Sequence, residues 1–206
     1  MSKLIIMTDF IRVFIPLFFI IFFMTAFFGT SFIVSKRIGK NPNVLPKDGS
    51  AYGLVGRYFK YTLFLIFIYT VLLFIFPEDI SSSFKINLPK EIIFKYIGIA
   101  LLILSLIWIL IAQFQMKNSW RIGIDEYQKT ELITTGLFNY SRNPIFLGIL
   151  VSLIGLFFTL PTLISLSFLL ITYILIQTQI RVEEEFLLNQ HDKIYLRYKA
   201  KIRRFL

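Results

Sequence analysis

Residues 145–176 read IFLGILVSLIGLFFTLPTLISLSFLLITYILI. The stretch holds no Lys, Arg, Asp or Glu, and only Pro161-Thr162 interrupts it. Its apolar residues come as blocks, without the alternation of a half-buried strand or the 3.6-residue stripe of a helix on a soluble core. Such blocks call for a lipid solvent. Ile145 to Leu160 and Leu163 to Ile176 each fall short of the ~20 residues that cross a hydrocarbon core. They predict a tight helical hairpin, spanning fully or in part.

Three further apolar runs lie upstream, roughly Phe10 to Val34, Tyr61 to Phe76 and Ile92 to Ala112. The first is too long for a signal peptide and lacks a small-residue cleavage site, so it reads as a spanning helix, with Pro16 placed to bend it. Asn41-Pro42-Asn43 and Lys47-Asp48-Gly49-Ser50 read as turns in the polar link that follows. The predicted fold is an all-α polytopic membrane protein of about five transmembrane helices, the last two a hairpin, plus a C-terminal amphipathic helix. Residues 1–206 form a single membrane domain: 1–112 supply three N-terminal helices and 113–206 the functional core.

The composition agrees. Of 206 residues, 56% are hydrophobic and 17% charged, with 24 Phe; soluble domains sit nearer ~45–50% apolar. The net charge of +10 would suggest nucleic acid in a soluble protein. Here the cations flank apolar runs, where they set orientation, so no nucleic-acid partner is expected. Seventeen of the 22 Lys and Arg fall in 36–60, 113–144 and 181–206, leaving Lys3, Arg12, Lys85, Lys90 and Lys95 for the other side. The positive-inside rule then places the N-terminus outside and the C-terminus in the cytoplasm. There is no cysteine and one histidine, His191. Thiolate chemistry, Cys-ligated metal, a multi-histidine metal site and a Ser–His–Asp triad therefore lack their parts, and no metal is expected. The near absence of ionisable residues within the apolar runs argues against an ion pathway.

The chemistry-bearing residues cluster around the hairpin. In Leu132-Ile133-Thr134-Thr135-Gly136-Leu137-Phe138-Asn139-Tyr140-Ser141-Arg142-Asn143-Pro144, Gly136 permits a positive φ. Pro144 suits the first position of the next helix, and Asn143 its N-cap. A helix start with an adjacent Arg142 is a ready site for a carboxylate or phosphate. The same pattern also serves any spanning helix that needs a cap and an interfacial anchor. Past the last apolar run, Glu183-Glu184-Glu185 set three acids at the boundary of a basic protein. They either turn inward to a cation or hydroxyls, or sit at a solvated helix start; an unbroken helix would make them mid-helix and weaken the second reading. Leu187, His191, Ile194, Tyr198 and Ile202 fall at helical spacing, with Arg197, Lys201 and Arg204 on another face, which reads as an amphipathic surface helix. His191 reads as a contact of that helix. Gln113, Gln115, Ser119, Trp120 and Arg121 read as a boundary motif, with Trp120 in the aromatic belt.

Thr135-Gly136, Tyr140, Arg142-Asn143-Pro144 and Leu147-Gly148, followed by a hairpin, Glu183-Glu184 and the tail Tyr195, Tyr198, Ile202, Arg204, together resemble the isoprenylcysteine carboxyl methyltransferase and phospholipid methyltransferase family. Gln113-Phe114-Gln115-Met116 and Ser119 to Asp125 are similar to bacterial members. The resemblance covers about 113–206, with Phe138 where Tyr is common and Asn143 where some members carry His. It implies an S-adenosylmethionine-dependent enzyme of the bacterial inner membrane, acting at the cytoplasmic face on a lipophilic or small acceptor: a carboxylate, amine or thiol. By that resemblance Thr135, Gly136, Phe138, Tyr140, Arg142, Asn143, Pro144, Phe146, Glu183 and Glu184 form the cofactor site, with Arg142 and Glu184 at the reaction centre. Membrane reductases of the sterol-reductase type share a similar Gly, Arg and Pro pattern with a nicotinamide cofactor. Their continuation is an Asp/Cys/Lys pattern, so the paired Glu and absent Cys favour methyl transfer. A non-catalytic scaffold or transporter is the other alternative; repeated halves and mid-membrane polar residues, which would mark a transporter, are not visible.

Overall fold

The computed structural model describes residues 2–46, 49–125 and 130–206, with side chains for all of these except 2–5 and 51. The Lys47-Asp48 part of the predicted turn and the cation Lys129 lie outside the described residues. Among the described residues the chain is helical, and its only β features are isolated bridges at Asn43–Ile122 and Lys85–Thr162.

The N-terminal span begins with α1 (Ser2–Phe22), passes through a π-helical turn (Phe23–Gly29) and ends in α2 (Thr30–Ile38). Pro16 lies inside α1, and the departure from α geometry comes later, at the π turn. Gly39 closes α2 in the left-handed region at φ 71°, as a helix C-terminus prefers. The predicted turn at 41–43 follows, closed by Asn43 N–H donating to Asn41 Oδ1 at 2.9 Å. α3 (Ala51–Ile75) starts ahead of its apolar run because Ser50 Oγ accepts from Gly53 N–H at 3.0 Å. Proline 77 opens the short α4 (Pro77–Ser82), and α5 (Glu91–Met116) follows.

α6 (Pro144–Thr159) and α7 (Leu163–Lys201) form the predicted hairpin. Its tight corner is a capping box, in which Thr162 Oγ1 accepts from Ser165 N–H at 3.1 Å and Ser165 Oγ from Thr162 N–H at 3.2 Å. The two arms are unequal. At 16 residues and ~1.5 Å per residue, α6 is about 24 Å long, less than the ~30 Å of hydrocarbon. α7 has 39 residues, because Gln177 to His191 are mostly good helix formers and carry no Gly or Pro to stop the run. The last apolar run continues unbroken into charged sequence as far as His191, before a kink at Asp192, and the acids at 183–185 are mid-helix. Among the described residues, four helical spans are long and apolar enough to cross a membrane: Ile6–Ile38, Tyr52–Ile75, Glu91–Ser119 and Leu163–Lys201. With exposed Leu, Ile and Phe along their outer faces, they make this an integral membrane protein.

α5 and α6 lie in backbone contact along small residues. A Cβ added to Gly155 would meet the Gly98 carbonyl oxygen at 2.8 Å and Leu102 N at 3.0 Å. Ser105, Ser152 and Thr159 on the same seam are buried. Small residues let membrane helices approach closely where no hydrophobic effect drives them together. This seam fixes α6 against α5, and with it the Arg142-Asn143-Pro144 corner.

Two expectations need correction. Trp120 is not a belt residue: it is only 4% exposed. Lys117 ends α5 in the left-handed region at φ 48°, and the chain turns back, carrying the indole inside. The face predicted for the tail also differs in part: Tyr198 is buried as expected, but Ile194 is 65% exposed while Tyr195 is buried. Asp192, at φ 43°, breaks the α7 geometry and resets the helical phase beyond it.

Candidate active site

Arg142 and the acids of α7 come from segments some forty residues apart and meet at one carboxylate. Glu184 is buried, with Arg142 Nη1 at 3.0 Å from Oε1, and Lys199 Nζ at 3.1 Å and Arg204 Nη2 at 3.0 Å from Oε2. Arg204 grips both oxygens, its Nε donating to Oε1 at 3.2 Å. That bond pushes the Arg204 guanidinium pKa up from its ordinary value, so the residue is always charged. Three cations around one anion leave a local surplus of positive charge.

The chain end is fastened to the same corner. Arg142 N–H donates to the Arg203 carbonyl at 3.0 Å, and Asn143 Nδ2 to the Arg204 carbonyl at 3.0 Å. Asn143 occupies the predicted N-cap position of α6, but its side chain is engaged in this way and does not cap the helix. Pro144 is at the first helical position, as expected, and its carbonyl accepts from Trp108 Nε1 at 2.9 Å. Tyr198 hydroxyl donates to the Phe138 carbonyl at 2.6 Å. Arg142 Nη1 faces Glu184 off the hydrogen-bonding line. Nε and Nη1 of Arg142 are both buried without a hydrogen-bond partner among the described residues.

Beside this cluster lies a cavity of about 230 Å³. Phe138, Arg142, Asn143, Pro144, Phe146, Glu183 and Glu184 all line it. Thr135, Gly136 and Tyr140 lie outside its wall, and Tyr140 is 67% exposed. Gly136 does take the expected positive φ, 65°, but what crowds its Cα is the Gln115 side chain, whose Oε1 accepts from Leu137 N–H at 2.8 Å. His191 is not in the wall either.

Glu183 differs from its neighbour. Gln179 Nε2 donates to its Oε1 at 2.8 Å, and no Lys or Arg lies within ion-pair distance among the described residues. An acid facing a cavity without its own cation is suited to a positively charged or hydroxyl-bearing ligand.

Several wall and clamp residues went unassigned in the sequence. Gln113 is buried, its Nε2 donating to the Ala26 carbonyl at 2.7 Å and its Oε1 accepting from Thr30 Oγ1 at 3.0 Å. It thus ties α5 to the π turn, where the altered ladder leaves carbonyls to be satisfied. Trp120 and Tyr195 line the wall, and Phe22 and Phe27 close its apolar end. For Tyr195, Tyr198 and Arg204 the signal was present, since all three belong to the tail motif.

A family model described as phospholipid methyltransferase matches residues 94–194. Those residues belong to the phospholipid methyltransferase family. The match supports a membrane methyltransferase. The match opens inside α5 and takes in the Arg142 corner, the hairpin, and both Glu183 and Glu184. No curated protein matches the chain.

Proposed function

We propose that the cavity binds S-adenosylmethionine and that the chain transfers its methyl group to a lipophilic or small acceptor, a carboxylate, amine or thiol, at the cytoplasmic face. The observation that carries this reading is the division of labour between adjacent acids. Glu184 gathers three cations beside the cavity, while Glu183 faces it with no cation of its own among the described residues. A zwitterionic amino-acid group fits between them. Its carboxylate would meet Arg142, whose buried Nε has no hydrogen-bond partner among the described residues, and the uncapped start of α6. Glu183 would take the amino or ribose group, and Trp120, Phe138 and Phe146 would flank the adenine.

When bound, the cofactor supplies a methyl group activated by a sulfonium. The chain's part is to bind, align and exclude water. Displacement at that methyl by an anionic or neutral nucleophile spreads charge, so alignment and dehydration supply most of the acceleration without a general base. Asn143 cannot titrate and is engaged with the Arg204 carbonyl, so it takes a structural part. Phe22, Phe27 and Phe59 offer the acceptor an apolar entry from the N-terminal helices. The bias of cations toward 36–60, 113–144 and 181–206 supports the cytoplasmic placement and an outside N-terminus. The bacterial inner membrane is the setting we favour, from the similarity of 113–125 to bacterial members.

Calorimetry of S-adenosylmethionine binding to purified Arg142→Ala and Glu183→Gln variants tests the proposal. Each is expected to weaken binding by about 100-fold and ten-fold respectively, from one lost charged contact in each case. Wild-type affinity in both variants would overturn the assignment.

A further inference from the structure

At the opposite end of the bundle a second cavity, of about 170 Å³, opens among α1, α3, α4, the start of α5 and the α6–α7 corner. Lys95 in its wall and Gln113 in the wall of the first cavity are both on α5. Eighteen residues separate them, about 27 Å along the helix at ~1.5 Å per residue. The loop before α5 forms part of its rim, held to the corner by Ile86 N–H donating to the Pro161 carbonyl at 2.8 Å and Leu163 N–H to the Phe84 carbonyl at 2.9 Å.

Three cations and one acid line this cavity. Glu91 divides its oxygens between Lys85 Nζ at 2.9 Å and Lys95 Nζ at 2.8 Å. Arg12 has no carboxylate within ion-pair distance among the described residues; its Nε donates to the Phe74 carbonyl at 3.0 Å, and its guanidinium lies over the Phe74 ring. The acids Asp9, Glu78 and Asp79 at this end are exposed and outside the wall. The cavity therefore carries a surplus of two positive charges, with Lys95 only 8% exposed on an apolar helix. The buried Lys95 shares its one carboxylate with the exposed Lys85 and is incompletely compensated, and that favours an added anion. Of the five cations on this side of the protein, three converge here. At about 170 Å³ the cavity is roomy enough for a phosphate. Phe74, under the Arg12 guanidinium, and Phe76 and Phe84, next in sequence to Pro77 and Lys85 of the wall, are exposed apolar side chains, matched to acyl chains.

We infer that this cavity is a binding site for a phosphate-type anion, occupied by the phosphodiester headgroup of a membrane lipid. Arg12 supplies the planar fork that suits two phosphate oxygens, and Lys85 and Lys95 supply point charges. The site is separate from the methyl-transfer cavity, and the inference holds whether or not that cavity binds S-adenosylmethionine.

Native mass spectrometry of the full chain in neutral detergent, with added phosphatidylglycerol or diacylglycerol, tests it. The wild type is expected to retain phosphatidylglycerol at least ten-fold more tightly than diacylglycerol. The doubly substituted Arg12→Gln, Lys85→Gln chain should lose that preference. Glu91→Gln should instead tighten phosphatidylglycerol several-fold by removing the competing anion, a gain that misfolding cannot produce. A parallel melting series with inorganic phosphate separates the sources: stabilisation equal to that from the lipid upholds the anion site with a soluble occupant, and a weaker effect upholds the lipid. Equal retention of the two lipids, or no gain in Glu91→Gln, would overturn the inference.

Discussion

Where α5 meets α6, backbone touches backbone across Gly98 and Gly155; where α1 and the π turn meet α3, phenyl rings keep the helices apart. Phe18, Phe19, Phe22, Phe23 and Phe27 pack edge-on or tilted in succession along the N-terminal span, with ring centroids 5.3–6.3 Å apart. Phe23 meets Phe67 of α3 edge-on at 6.1 Å. A seam of small residues admits one packing, since any added atom strikes main chain. A ladder of rings re-packs by rotamer shifts. The half that holds the Arg142–Glu184 cluster is thus geometrically fixed, and the half that lines the apolar end of the cavity is adaptable. That arrangement suits an enzyme with one invariant cofactor and a variable acceptor.

The contrast can be broken or sharpened by substitution. The largest effect is expected for Gly155→Leu, which drives its side chain into the Gly98 carbonyl and costs about 3 kcal/mol of stability. A thermal melt in detergent with an unchanged midpoint would refute the backbone contact. Arg204→Gln comes next. Glu184 keeps two cations, the chain end loses a bidentate hold, and S-adenosylmethionine binding by calorimetry is expected to weaken about ten-fold. Unaltered binding would detach Arg204 from the site. Phe22→Leu, on the adaptable side, should move the acceptor KM a few-fold while cofactor affinity stays at the wild-type value. Parallel changes in both quantities would abolish the distinction between the halves. Smallest of all is Tyr140→Ala, an exposed position outside the wall, expected within about 0.5 kcal/mol of wild type in stability and binding.

The spans were legible because lipid imposes a compositional signature that needs no tertiary information: apolar blocks and cations between them. The hairpin corner was equally plain, with Pro161 and Thr162 carrying local chemistry. What the blocks concealed was length, since α6 stops at Thr159 while α7 runs past its apolar part into charged residues that favour helix just as well. At the site, Arg142 and Glu184 could be named from the motif, but not the split between Glu184 and Glu183. That split depends on Lys199 and Arg204 folding back, which follows the Asp192 break. One residue in the left-handed region altered the phase of the whole tail, so periodicity pointed to Ile194 where the structure buries Tyr195. Gln113 and Gln115 looked generic because their partners, the Ala26 carbonyl and the Leu137 N–H, lie far off in sequence.

The π turn at Phe23–Gly29 holds in effect one residue more than a regular helix of the same length would. Deleting a single residue there, at Thr25 for instance, would restore an ordinary ladder while leaving the flanking faces in place, so Ile11, Ile15 and Phe18 would stay buried. The change would be local: the Ala26 carbonyl would return to the ladder, and Gln113 in the cavity wall would lose the acceptor that now holds its Nε2.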